Sequence, residues 1–309
     1  MTRIFQIALI CLLFMACDTE DDKKGRFLLK GNAKIQENDP QSAIKYYNEA
    51  LRIDDTYAEA YYNRAITYYK LANYEKAIQD FTLAIEHKQP YEDAYFQRGL
   101  AYLDNGENYK ALSDARTLIK LLPEKSNGYF LEGLAHEALK NHDEALASFE
   151  KALSLDDANP DLYVNRATIY FYLDRYDEAK ADLQSAMAIN PQESNIYNLQ
   201  SMIAFEEKDY TKALETIEKA IELNSRQPYF YNNRGLYRLY LGDLEKGLED
   251  INFSLKQNSK NLYALRNKGI YYVMTNDKEI AFRYLEDVIK RDPSIPLTEE
   301  YLAKARQIN

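Results

Sequence analysis

The chain has 309 residues, 46% of them apolar and 28% charged, a balance ordinary for a soluble globular protein and too apolar for a disordered one. Lys+Arg 39 against Asp+Glu 49 leaves a net charge of −10, which disfavours a nucleic-acid partner because phosphate binding needs a cationic surface. Only three His argue against a histidine-rich metal site, and ten Gly with eight Pro favour helices over a turn-rich β fold.

The first element is an N-terminal address. Arg3 precedes an apolar run from Ile4 to Met15, followed by Ala16-Cys17. Twelve residues are too few to cross about 30 Å of hydrocarbon, which takes about 20. The order basic, apolar, small reads as a secretory signal over residues 1–16. Phe14-Met15-Ala16-Cys17 resembles a bacterial lipoprotein signal, although Phe14 departs from the usual Leu. The resemblance implies lipidation at Cys17 and attachment to a bacterial envelope membrane, the outer membrane or cell surface in preference to the inner membrane. Cys11 would leave with the signal. Asp18 to Asp22 then forms an acidic tether over 17–23. It is similar to the export signal of some surface lipoproteins, whereas a second sorting rule reads Asp18 as inner-membrane retention, and a plain solvated linker is a third reading.

From residue 24 the chain repeats. Ala60-Tyr-Tyr-Asn-Arg-Ala65, Leu162-Tyr-Val-Asn-Arg-Ala167 and Phe230-Tyr-Asn-Asn-Arg-Gly235 are separated by multiples of 34. Eight units follow without a gap: 24–57, 58–91, 92–125, 126–159, 160–193, 194–227, 228–261 and 262–295. Numbered within the unit, position 8 carries Gly31, Ala65, Gly99, Gly133, Ala167, Ser201, Gly235 and Gly269, and position 20 carries Ala or, once, Gly247. Apolar residues recur at helical spacing in two stretches per unit. Turn formers such as Asn73, Gly106, Asn141, Asp209 and Gly242 lie between them. Small residues at positions 8 and 20 let two antiparallel helices approach. Bulky residues at position 24 (Tyr47, Phe81, Phe149, Leu183) fill the layer, but the third unit has Ala115 there. Gly247 and Ser254 mark the seventh unit as the softest, since Gly costs about 1 kcal/mol relative to Ala in a helix. Residues 296–309 place Leu297, Tyr301, Leu302, Ala305 and Ile308 on one face, the pattern of a capping helix that starts near Thr298.

This pattern resembles the tetratricopeptide repeat family. The resemblance implies an all-α, right-handed superhelical solenoid of eight helix-turn-helix units plus a C-terminal capping helix. It also implies a concave groove lined by positions 2, 5, 6, 9, 12 and 13. Position 6 carries Asn63, Asn165, Asn233 and Asn267, with Asn198 and Asn232 at position 5. An Asn row can donate to and accept from a peptide backbone, and it resembles the asparagine ladder of some peptide-binding arrays. The same residues can equally tidy local packing. Tyr62, Tyr69, Phe96, Phe130, Phe171 and Phe205 add aromatic groove surface, or pack between helices. Arg64, Arg98, Arg166 and Arg234 at position 7 are expected to bridge neighbouring units to acidic residues.

No Gly-rich phosphate loop, G-x-S-x-G or H-E-x-x-H is present, and no stretch outside the repeats could hold a catalytic domain. His136 and His142 lack a third ligand nearby, and the inter-unit turns are too short for calcium. The expectation is a non-enzymatic scaffold without cofactor or metal. It would bind a protein or peptide in its groove, or serve as a structural subunit of an outer-membrane or secretion assembly through its convex face. Positions 2 and 5 hold no Lys and only Arg266 is basic, which speaks against recognition of an acidic C-terminal tail.

Overall fold

The structure is a computed structural model that describes residues 19–308. The signal, Cys17 and Asp18 lie outside the described residues. Among the described residues there are seventeen α-helices and no strand. The chain divides between Asp157 and Ala158 into two compact units, each a stack of four antiparallel hairpins. The first holds α1 (Glu20–Gln36), α2 (Pro40–Ile53), α3 (Ala58–Lys70), α4 (Tyr74–His87), α5 (Glu92–Asp104), α6 (Asn108–Leu121), α7 (Ser126–Ala138) and α8 (His142–Leu155). The second holds α9 (Pro160–Tyr172), α10 (Tyr176–Ile189), α11 (Ser194–Glu206), α12 (Tyr210–Leu223), α13 (Pro228–Tyr240), α14 (Leu244–Gln257), α15 (Leu262–Met274), α16 (Lys278–Arg291) and α17 (Thr298–Arg306).

The 34-residue stride has a backbone signature. Asn38, Ala72, Gly106, Lys140, Asp174, Lys208, Gly242 and Asn276 all adopt positive φ at the turn inside each hairpin. This residue ends the first helix in left-handed geometry, which glycine takes freely and other residues adopt at about 1–2 kcal/mol. Only two units supply glycine, so the sequence punctuates this joint unevenly. Five of the joints between repeats are Asx turns: Asp54, Asn190, Asn224, Asn258 and Asp292 each accept the backbone N–H two residues on, at 2.9–3.2 Å.

Position 8 is small because position 24 fills its space. A Cβ on Gly31 would sit 2.3 Å from Tyr47, and one on Gly133 would sit 2.5 Å from Phe149. In the third unit Ala115 leaves that volume empty, and Leu131 from α7 takes it, 2.3 Å from a Cβ on Gly99. Leu131, at position 6 of the fourth repeat where four others carry Asn, is fully buried. In the seventh unit Gly235 and Gly247 bring two backbones together: a Cβ on Gly235 would lie 2.8 Å from the Gly247 carbonyl. Gly247 is therefore a close-approach residue, with Ile251 and Leu239 buried around it.

Two expectations change. Residues 20–23 are not an extended tether but the first turn of α1. Thr19 caps that helix: its hydroxyl accepts from Asp22 N–H at 3.1 Å, and the Asp22 carboxylate accepts from Thr19 N–H at 3.2 Å. The acidic run suits this place because Glu20, Asp21 and Asp22 face the positive end of the helix dipole. Lys24 then bridges Asp21 at 2.7 Å and Asp54 at 2.6 Å. The second change concerns the arginines, described below. At the other end, α17 lays Tyr301, Leu302 and Ala305 on the cluster built by Ile270, Ala281 and Leu285, which closes the last hairpin.

Candidate functional site

The first helix of each hairpin carries the candidate surface, and its second helix holds it in place. Arg64 reaches Asp80 with Nε and a terminal nitrogen, both at 2.7 Å, sixteen residues on and within its own hairpin. Arg98–Asp114, Arg166–Asp182 and Arg234–Asp250 repeat the fork at 2.7–2.9 Å. The carboxylates at position 23 are buried. The expected inter-unit ion pair is thus an intra-unit one, because position 7 faces position 23 across the hairpin. The neighbouring repeat adds a neutral acceptor to two of them, Asn48 to Arg64 and Thr82 to Arg98, and the Glu218 charge to Arg234. Where position 7 is not Arg, its partner changes with it: Glu132 accepts from Ser148 at 3.1 Å, and Lys268 lies 5.4 Å from the Tyr284 ring. Sequence reasoning overlooked the Asp at this constant offset of sixteen.

In the first unit the exposed side of α3, α5 and α7 is aromatic and aliphatic. Tyr62 is half-buried against Phe81 and Tyr91, with ring centroids at 5.8 and 5.2 Å. Phe96 and Phe130 stack at 6.4 Å and are half-buried, with Ile66, Leu100 and Leu134 one turn along. The Tyr69 hydroxyl donates to Asp104, which fixes the two helices; burial and that carboxylate push its phenol pKa up. Asn63 is half exposed, and its side chain makes no hydrogen bond among the described residues.

The second unit treats the same positions differently. Asn267 is fully buried, and its Nδ2 donates to the Asn232 side chain at 2.8 Å and the Asn232 carbonyl at 3.2 Å. Asn233 Nδ2 donates to Asn198 Oδ1 at 2.9 Å, and Asn232 Nδ2 reaches Asn233 Oδ1 at 3.5 Å. Tyr229 donates to Asn195 at 2.6 Å. Arg266, 5% exposed, starts the chain by donating Nε–H to Asn267 Oδ1 at 2.9 Å and a terminal N–H to the Pro296 carbonyl at 3.1 Å. It forms no ion pair among the described residues. Burial pulls its guanidinium down to about 10, and the Tyr263 ring lies 5.3 Å from it.

This corrects the asparagine ladder. Asn232 and Asn267 are buried and spent on each other, so they cannot clamp a peptide, and Asn198 and Asn233 are half-buried and bonded together. Asn165 is half exposed but donates to the Asp161 carbonyl of its own helix at 2.7 Å. Phe205 is also a core residue, enclosed by Tyr210, Tyr237 and Tyr240 at centroid distances of 4.9–5.4 Å. Phe171 is half-buried between Tyr172 and Tyr176.

Among the described residues no group of three or more His, Cys, Asp and Glu could hold a metal ion, and His136 is buried beside Asn141 at 3.4 Å. No described helix is long and apolar enough to cross a membrane.

Family models described as tetratricopeptide repeat match residues 58–89, 96–161, 137–203 and 194–227, and one described as TPR repeat matches 31–72. A small glutamine-rich tetratricopeptide repeat-containing protein of Dictyostelium discoideum is 46% identical over 57 residues, which is 18% of this chain and 17% of that protein. Among solved structures, the anaphase-promoting-complex assembly Cut9-Hcn1 aligns with a TM-score of 0.69 at 15% identity, over 90% of this chain and 55% of that one. Yeast Tom70 aligns at 0.59 and 17% identity, over 96% and 66%. The Thermus thermophilus protein TTC0263 aligns at 0.55 and 20% identity, over 59% and 99%. The chain thus spans about a sixth of the curated relative and just over half of Cut9-Hcn1. These structural likenesses concern the fold.

Proposed function

Because the chain belongs to the tetratricopeptide repeat family, we propose that it is a non-catalytic adaptor that holds a protein or peptide on the first-helix faces of its hairpins, tied by a lipid on Cys17 to a bacterial envelope membrane. The observation that carries the binding reading is the strip of rings and aliphatic side chains, only half-buried, on α3, α5 and α7. Such contiguous apolar surface is uncommon on a soluble protein unless something covers it. Tyr62 and Tyr69 add amphipathic contact area at small entropic cost. The lipid reading rests on the pattern Ile4 to Cys17 alone. Outer membrane or cell surface is the favoured location, and the partner would be an envelope protein concentrated there.

A second reading has its own observation. On the outer side of the first unit, Tyr109 is 76% exposed and Leu121 42% exposed, beside Arg116 and Lys120 around a shallow depression on α6. A structural subunit of an outer-membrane or secretion assembly would dock through such a surface. Capture from envelope extract separates the two. Replacing Tyr62, Phe96 and Phe130 together by Ala should abolish partner recovery, while Tyr109→Ala with Leu121→Ala should leave it intact. The reverse result assigns the contact to the outer face. For the anchor, Cys17→Ser should move the chain from the detergent phase to the aqueous phase; unchanged partitioning would refute lipidation.

A further inference from the structure

Position 12 is apolar or aromatic in seven units, with Ile35, Tyr69, Leu103, Phe171, Phe205, Leu239 and Val273. The fourth unit has Glu137 there. Its carboxylate is partly buried and accepts no hydrogen bond or ion pair among the described residues. Burial alone pushes it up to about 7. The contrast with Asp80 and Asp114 is direct, since each of those accepts a two-pronged arginine at 2.7–2.9 Å. Keeping a carboxylate half out of water without a partner destabilises the fold, and nothing in the first unit uses it. His136, next in sequence, is turned to Asn141 at 3.4 Å.

Glu137 lies on the same helical face as Phe130 and Leu134, at spacings of seven and three residues. Phe96, Leu100 and Leu103 repeat that spacing on α5, and the two Phe rings meet at 6.4 Å. The remaining charges on these faces are mainly negative. Asp93 is exposed and adds its field to burial, the main cause, in raising the phenol pKa of Tyr62 and Tyr91. Asp104 receives the Tyr69 hydroxyl, and Glu59 pairs with Lys88 at 3.0 Å. Lys70 is the one cation at these positions on α3, α5 and α7.

We infer that this face of the first unit takes a peptide segment in which a lysine or arginine, flanked by apolar side chains, pairs with Glu137 while those neighbours rest on Phe96 and Phe130. This deepens the groove reading above and rests on it. A cation restores to Glu137 the partner the fold withholds. A neutral segment leaves the carboxylate covered and unpaired, and an acidic one sets like charge against it.

The test is a titration of the full chain with short labelled peptides of alternating Leu-Lys, Leu-Gln and Leu-Glu, followed by fluorescence anisotropy. Leu-Lys should bind about tenfold tighter than Leu-Gln, with Leu-Glu weakest. Glu137→Gln should bring Leu-Lys and Leu-Gln within about twofold of each other. Glu137→Leu, which restores the apolar row, should do the same and raise the melting temperature, so loss of preference cannot be put down to misfolding. Equal binding of the first two peptides by the parent chain, an undiminished preference in both variants, or no binding of Leu-Lys overturns the inference. If Leu-Gln binds equally well and is lost in the Phe96→Ala, Phe130→Ala chain, the groove reading stands and only the cation assignment falls. Binding that survives that double change removes the groove reading itself.

Discussion

In the unit that ends at Asp157, position 5 of the second to fourth repeats is Tyr62, Phe96 and Phe130, all half-buried and aromatic. In the unit that begins at Ala158, position 5 of the last three repeats is Asn198, Asn232 and Arg266, and these bond to Asn233, Asn267 and Pro296. The hairpins and Arg–Asp forks are the same in both. One scaffold therefore presents an open apolar face in one unit and ties its first helices together with amides in the other. What decides the role of an Asn at position 6 is the residue 35 places earlier: Asn198 for Asn233 and Asn232 for Asn267, but Leu28 for Asn63.

That contrast can be broken or sharpened by substitution. The largest effects should come from what the units share. Asp80→Asn in the first and Asp182→Asn in the second should each cost about 2–3 kcal/mol in urea denaturation, since each removes the buried carboxylate from a two-pronged arginine pair. Losses that differ widely between the units would mean the forks are not equivalent. The Asn pair should separate them. Asn267→Ala strips the Arg266 Nε–H and the Asn232 side chain of their partner and should cost about 2 kcal/mol, whereas Asn63→Ala should stay within about 0.5 kcal/mol. Equal losses would show that both asparagines are structural.

Smaller effects probe the joints. Gly247→Ala should lower stability by about 1–2 kcal/mol despite the better helix propensity of Ala, because its Cβ would meet the Gly235 carbonyl at 3.0 Å and Leu239 at 2.7 Å. A gain in melting temperature would mean the seventh hairpin is slack, as its composition alone suggests. Lys140→Gly in the first unit relieves a positive φ of 61° and should stabilise by about 1 kcal/mol, read from the same urea curve. The smallest effect is electrostatic. The Lys24 ammonium holds the Asp54 carboxyl down at about 2. A carboxyl depressed by folding contributes stability above its unfolded pKa, about 4, and that contribution fades as pH falls from there to about 2. Lys24→Met should flatten the fall of the urea midpoint in that window, and an unchanged slope would mean that the pair is idle.

Much of the architecture was legible because small residues at positions 8 and 20 return every 34 residues, and a packing constraint that periodic leaves few alternatives. The acidic run before α1 was misread as a tether because charge alone does not distinguish a solvated strand from a helix start; the sign was Thr19 three residues before Asp22. The sequence left the asparagines open between a peptide-facing row and local packing, because the choice lies in hydrogen bonds between pairs 35 residues apart. Phe205 looks like Phe96 in sequence, but Tyr210, Tyr237 and Tyr240 enclose it. Ala115 was seen as a gap, yet only the structure shows Leu131 crossing from the next repeat to fill it.

The most direct test of the open-face account is hydrogen–deuterium exchange of the full chain with and without saturating Leu-Lys peptide. The account predicts new protection along α5 and α7, centred on Phe96, Phe130 and Glu137, with α11 and α13 unchanged. Protection confined to α11 and α13, around Asn198 and Asn233, would contradict it.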